Sequence, residues 1–235
     1  LFHWSFEAAV ATSIRAGSVF LVGDAAHQTT PRGARGMNTG IADGHNLGWK
    51  LAWVARGWAG EELLESYSAE RYPVGVRNAR ASLVPTDQTA EADLTEDFGD
   101  VYRSSVVTAD QDVRTADGLP AAVPGARAPH AWVTHGRRRV STIDLYDGRL
   151  TLIASDDGWQ EAAASVGVPV RLLTVGTDLL DEDGELTSRY RLDGAAVLVR
   201  PDGHVAARLT EPADLGPAVD KALGRTTHAL TAQHR

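Results

Sequence analysis

A short apolar run, Val19 to Val22, ends abruptly at Gly23-Asp24 and leads into a polar loop rich in Gly, Pro and Thr. A long helical pattern begins near Gly36. Uniformly apolar runs are typical of buried central strands, and α/β sheets contact ligands at the carboxyl ends of their strands. The stretch therefore predicts a strand at 19–22, an acidic turn and a helix N-terminus that together form a ligand site.

The chemistry of such a site favours an anionic or electron-rich guest. A helix N-terminus presents unpaired backbone N–H groups and roughly half a positive charge. A lone aspartate after a strand is more often a turn cap. Here Asp24 is followed by a loop lined with Gly33, Gly36 and Gly40, and this combination favours ligand binding.

Helical spacing extends from Met37 to Arg56, and Gly57 is the expected stop. Gly40, Gly44 and Gly48 lie four residues apart, which predicts close approach of another backbone along one helix face.

A second helix is predicted from Glu61 to Arg71, ending before Pro73, with helical sequence again from 74 to 98. The Gly- and Pro-containing stretch from Asp110 to Arg127 is the candidate boundary between a domain of residues 1–115 and a domain of residues 116–235.

After this boundary, alternating strand and helix patterns predict a small α/β sandwich. The predicted elements are strands at 141–146 and 150–154 around Asp147-Gly148, a helix at 159–166, a strand at 170–175, a hairpin of 195–200 and 204–209 around Pro201-Asp202-Gly203, and a closing helix at 212–223.

Composition excludes several classes of function. The net charge of −8 gives no support for a nucleic-acid partner, and no apolar run is long enough to span a bilayer. The absence of cysteine excludes disulfides and thiolate metal sites and is consistent with a cytoplasmic location.

The sequence also lacks several motifs. The GxGxxG turn of dinucleotide-binding folds, the GxSxG elbow of hydrolases and the Walker motif of phosphate-cleaving proteins are all missing. His27 and His45 lack zinc-type spacing, so structural histidines are expected and no metal site is predicted.

Two blocks, GDAAHQTTPRGARGMNTGIADGHNLGWKLA (23–52) and LLESYSAERYPV (63–74), resemble the second flavin-contacting motif of class A FAD-dependent aromatic hydroxylases with the para-hydroxybenzoate hydroxylase fold. The segments PGARAPHAWV (124–133) and VLVRPDGHVAAR (197–208) resemble the C-terminal domain of the branch that hydroxylates bacterial aromatic polyketides and phenols. The resemblance implies an α/β chain: a partial FAD-binding domain with strand, Gly-Asp loop and long helices, followed by a thioredoxin-like α/β sandwich domain.

The resemblance also implies roles for individual residues. Asp24 would hydrogen-bond the ribityl chain of FAD, Pro31 would lie beside the isoalloxazine ring, and the N–H groups of residues 36–38 would meet its pyrimidine edge. Glu70-Arg71 would form a structural ion pair or a backbone clamp. The implied cofactor-binding residues are Gly23, Asp24, Pro31, Gly33, Gly36, Met37 and Asn38.

In such enzymes NADPH (or NADH) reduces the flavin, O2 forms a C4a-hydroperoxyflavin, and oxygen passes to a phenolic or polyketide ring. No catalytic acid or base is assigned here, and a homodimer is possible.

Two features of the sequence depart from the family pattern. Ala34 replaces a glycine that is usual in the family and would be strained if its φ were positive. The C-terminal domain lacks Cys-x-x-Cys, which excludes disulfide exchange.

The only methionine is Met37, so we expect the chain to be a piece of a longer protein. We also expect that the chain by itself does not bind FAD tightly. The alternative interpretation is a non-catalytic scaffold or dimerisation fragment.

Overall fold

The computed structural model describes residues 7–84, 95, 98–108 and 113–225. Its N-terminal part begins with two small ribbons, in which β1 (Ala9–Val10) pairs with β4 (His27–Gln28) and β2 (Arg15–Ala16) pairs with β3 (Val19–Phe20). The prediction of a buried central strand at 19–22 is wrong. Only two of its residues are in β3, whose one partner among the described strands is β2, and Val19 is 63% exposed.

Two long helices follow, α1 (Arg35–Ala55) and α2 (Glu62–Ala81), and they pack against each other. Gly57 ends the first helix as predicted, with φ of 71°. The Gly57 N–H donates to the Val54 carbonyl and the Trp58 N–H donates to the Trp53 carbonyl. This pair of bonds satisfies carbonyls that the helix end would otherwise leave free.

The second helix does not stop before Pro73, as the sequence predicts, but runs through it to Ala81. A proline inside a helix removes one backbone bond and costs about 3 kcal/mol. Arg71 and Val74, on either side of Pro73, are both buried. Tertiary contacts on both sides therefore keep the segment helical.

The face of α1 that is buried is largely polar. Thr39, Asp43, Asn46 and Lys50 are all less than 4% exposed, whereas Ile41 is 63% exposed. The apolar spacing that predicts this helix therefore does not identify its buried side. Polar groups at this depth require partners, because an unpaired buried polar group costs about 1–3 kcal/mol.

The C-terminal part is built on a four-stranded sheet of order β11-β10-β7-β8, in which β8 is parallel to β7 and the other neighbours are antiparallel. This is the predicted thioredoxin-like arrangement. Its elements are β7 (Leu150–Ala154), α3 (Gln160–Ser165), β8 (Val170–Thr174), α4 (Glu185–Tyr190), β10 (Ala196–Val199), β11 (Val205–Leu209) and α5 (Leu215–Ala222).

A second sheet has the order β6-β5-β9, formed by Arg138–Ser141, Trp132–His135 and Leu179–Leu180. The predicted pairing of strands around Asp147-Gly148 is wrong. Thr142–Leu145 is a 3-10 helix, which begins because the Ser141 hydroxyl accepts the Ile143 N–H and turns the chain.

Successive residues of β7 point to opposite faces of the larger sheet, as expected for a strand buried on both sides. Leu150 and Leu152 pack against α3 and α5, together with Trp49 and Trp53 of α1, while Ile153 packs on the other face with α4. The two parts thus share one core, and the three tryptophans of residues 49–58 serve packing.

Within the predicted boundary segment, residues 121–126 are buried, whereas residues 110–112 lie outside the described ranges. The division at 115/116 stays a prediction. Within the described ranges, none of the helices is long and apolar enough to cross a membrane.

Candidate functional site

The Gly-Asp turn is a 3-10 turn, Gly23–Ala25, that begins three residues after the end of β3. Gly23 has φ of 59°, a conformation that side-chain-bearing residues rarely adopt. Its N–H donates to the Asp43 carboxylate of α1 at 3.1 Å, which fixes the turn. The Asp24 side chain is left exposed to solvent, so its carboxylate is available to a ligand.

The turn lies against the second turn of α1. A Cβ on Gly40 would come within 3.1 Å of the Gly23 Cα, so Gly40 permits this approach. Gly44 and Gly48 have open space where a Cβ would be. The predicted glycine face is therefore wrong for two of its three members.

The first turn of α1 is an accessible helix N-terminus. Ala34 precedes it with φ of 50°, so the strain predicted at this position is present. In the described part of the chain no side chain caps this end, and Met37 is 74% exposed. A Cβ on Gly36 would lie 2.6 Å from the Thr29 hydroxyl, so a larger residue there would force Thr29 to move. Pro31 and Gly33 are exposed in the loop just before the helix.

The buried Asp43 carboxylate connects α1 to β4 and to α2. Its Oδ2 lies 2.6 Å from His27 Nε2, and its Oδ1 accepts from Arg71 Nε at 2.7 Å. Burial alone would raise the pKa of Asp43, but the bond to His27 and the Arg71 guanidinium lower it below its usual value. His27 is 3% exposed, and its role is structural. Among the described residues, no three His, Asp or Glu side chains converge on a point that could hold a metal ion.

A larger buried cluster, centred on Glu70, lies further along the same helices, and its partners Lys50 and Arg200 are not predicted from the sequence. The Glu70 carboxylate accepts two bonds from Arg200 (2.8 and 2.9 Å), and one each from Lys50 and Asn46 (both 2.8 Å). It also accepts from Ser104 at 2.9 Å. Glu70 and Arg71 take part in separate structural ion pairs, and Arg71 also donates to the Thr39 carbonyl at 3.2 Å, so both roles that the resemblance implies, ion pair and backbone clamp, are found.

The cluster shifts the pKa values of its own members because they are buried away from water. Burial lowers the pKa of Lys50 to about 8, although the Glu70 carboxylate partly offsets this. Burial would raise the pKa of Glu70, but Arg200 and Lys50 lower it well below its usual range. Lys50 and Arg200 are 0% exposed and Glu70 is 2% exposed. Charges buried to this degree are tolerated only with close partners.

Two of the predicted residues, Gly33 and Asn38, also line a cavity of about 730 Å³. Its wall includes Tyr102 and the turn at Pro201–His204 from the C-terminal sheet. The start of α1 therefore borders a space that the C-terminal part helps to enclose.

These features fit the groups of a flavin. The exposed Asp24 carboxylate suits sugar-like hydroxyls, and the uncapped N–H groups of residues 36–38 suit an electron-rich ring edge. A helix N-terminus stabilises nearby negative charge by about 0.3–1 kcal/mol.

Comparison with known proteins agrees with this class. A model of the FAD binding domain family matches residues 2–82, and a model of the aromatic-ring hydroxylase C-terminal family matches residues 121–226. The chain belongs to the FAD-dependent aromatic hydroxylases, which confirms the predicted family and fold class.

Several individual relatives are similar to this chain over most of its length. Tetracenomycin A2 monooxygenase-dioxygenase of Streptomyces glaucescens is 40% identical over 95% of this chain and 45% of its own length. Aklavinone 12-hydroxylase of Streptomyces purpurascens is 39% identical over 89% of this chain and 43% of its own length. The crystal structure of aklavinone-11 hydroxylase with FAD and aklavinone superposes with a TM-score of 0.84 at 35% identity, covering 94% of this chain and 46% of that one. The chain thus spans less than half the length of these relatives.

Proposed function

We propose that the protein containing this chain is an FAD-dependent monooxygenase that uses NADPH or NADH and O2 to hydroxylate a phenolic or polyketide ring. The observation that carries the proposal is the exposed Asp24 turn, held by Asp43 against an uncapped helix N-terminus. The relatives' names, which include hydroxylases of aromatic polyketides, support the substrate class. A cytoplasmic location and a homodimer stay predictions.

In this proposal the chain supplies one half of the flavin site. Asp24 accepts hydrogen bonds from ribityl hydroxyls, and the N–H groups of Gly36, Met37 and Asn38 donate to the pyrimidine edge of the ring. Pro31 lies beside the ring, while Gly23 and Gly33 let the backbone approach it. Bound FAD would supply the redox chemistry, taking electrons from NAD(P)H and activating O2.

The test uses the longest protein encoded by the reading frame that contains this chain. We expect yellow protein after gel filtration and NADPH or NADH oxidation that increases when a phenolic or polyketide substrate is added. Asp24→Ala is expected to weaken FAD retention, whereas Asp193→Ala, an exposed aspartate in the C-terminal part, leaves it unchanged.

Two results would contradict the proposal. A full-length protein that neither retains nor binds flavin would support the scaffold alternative. Equal FAD retention by the Asp24 and Asp193 variants would remove the ribityl contact from the proposal.

A further inference from the structure

The turn between β10 and β11 contains buried charge, although hairpin turns are usually solvated. Arg200 is 0% exposed and Asp202 is 5% exposed. Arg200 Nε donates to Asp202 Oδ1 at 3.0 Å, so the aspartate fixes the guanidinium plane. The two terminal nitrogens of Arg200 are then oriented to bind a second carboxylate outside the turn.

That second carboxylate belongs to the helix pair. Arg200 binds Glu70 of α2 through two parallel bonds of 2.8 and 2.9 Å. Asn46 of α1 donates to both Glu70 (2.8 Å) and Asp202 (3.2 Å). The turn is therefore attached to α1 and α2 at once, through charge-assisted bonds at a dry interface.

A second route leaves the same turn through an aromatic pair. His204 stacks on Tyr102, with ring centroids 4.3 Å apart and planes 17° from parallel. The Tyr102 hydroxyl accepts from Arg71 Nη1 at 2.9 Å, and Arg71 Nε donates to Asp43 at 2.7 Å. Asp43 is the residue that accepts the Gly23 N–H.

We propose that the Arg200–His204 turn is a positioning element for the Gly23–Ala25 turn. Its charge pairs fix the positions of α1 and α2 relative to the C-terminal sheet, and in these positions Asp43 can bind Gly23. The inference rests on the proposed function only for the identity of the ligand at that site. A thioredoxin-like domain without cysteines thus acts through buried ion pairs rather than through redox chemistry.

Hydrogen exchange of the chain itself tests the proposal without any cofactor. In Asp202→Asn we expect the hydrogen-bonded amides of residues 23–28 and of 39–43 to exchange about tenfold faster, while amides of 150–154 in the same C-terminal sheet keep the wild-type rate. The matched control is Asp147→Asn. Asp147 also pairs with arginines in the C-terminal part, but its side chain is 37% exposed.

The outcomes separate positioning from general stability. Faster exchange confined to 196–209, or acceleration by the same factor everywhere, overturns the proposal. If Asp202→Asn does not fold, Tyr102→Phe decides, because it removes only the hydroxyl that binds Arg71. Unchanged exchange at residues 23–28 in that variant also overturns it. A failure of the full-length protein to bind FAD would refute the proposed function and leave this result standing.

Discussion

Replacing Glu70 by glutamine tests the buried cluster most directly, because the side chain keeps its shape and loses its charge. Lys50, which is 0% exposed, would then have no carboxylate partner, and Arg200, also 0% exposed, would keep only Asp202. The glutamine NH2 group would also face a guanidinium that can only donate.

The expected loss follows from this geometry. Removing one partner of a buried ion pair costs about 3–5 kcal/mol, because the remaining charge, here that of Lys50, is neither solvated nor paired with a carboxylate. For a chain of this size, 1 kcal/mol shifts the melting temperature by about 2–4 °C, so Glu70→Gln should lower it by about 6–20 °C.

Urea unfolding followed by tryptophan fluorescence measures the effect, since Trp49 is buried and its ring lies 5.4 Å from the Arg200 guanidinium. Glu65→Gln on the same helix is the control. Its side chain is 68% exposed and pairs with Arg15 at the surface, so a change below about 1 kcal/mol is expected. Adding Lys50→Met to Glu70→Gln should recover part of the loss, because it removes one uncompensated cation.

The reasoning is refuted if Glu70→Gln costs less than about 1 kcal/mol, a value typical of an exposed pair. It is also refuted if the Lys50→Met addition makes the Glu70 variant less stable still. Either result would mean that water reaches these charges.

Three further outcomes are expected. Gly44→Ala should stabilise the chain by about 0.5–1 kcal/mol in thermal unfolding, since its Cβ would meet open space, whereas Gly36→Ala should destabilise it by about 1–3 kcal/mol through collision with Thr29. Ala34→Gly should raise stability by up to about 1 kcal/mol by relieving the positive φ, and a loss would argue against strain there. Because the folded pKa of Glu70 lies below its ordinary 4.5, the unfolded chain binds more protons, so stability should fall as pH decreases below about 4.5, less steeply in Glu70→Gln.

Local sequence signals predicted the elements whose cause is local. The stop at Gly57 depends on one positive φ, and the hairpin at Pro201–Gly203 depends on turn residues. The Gly-Asp turn and the helix start were found for the same reason. Each is a backbone conformation that a few adjacent residues determine.

The predictions that the structure contradicts share a different cause, which is contact with distant parts of the chain. Pro73 signals a helix end locally, but burial of Arg71 and Val74 overrides it. The buried side of α1 could not be read from hydrophobic spacing, because that side is polar and its partners come from distant parts of the chain. A run containing Asp43, Asn46 and Lys50 reads as a solvated face until those partners are known.

The pairing of Glu70 with Arg200 spans 130 residues, and this separation affects how the chain is made. At about 5–20 residues synthesised per second, Glu70 is made roughly 7–26 s before its partner arginine exists. During that interval the polar side of α1 has no partner from the C-terminal part and stays hydrated. Hydrated charges oppose aggregation of the two helices. We therefore expect the residues that stabilise the finished protein also to limit aggregation of the nascent chain.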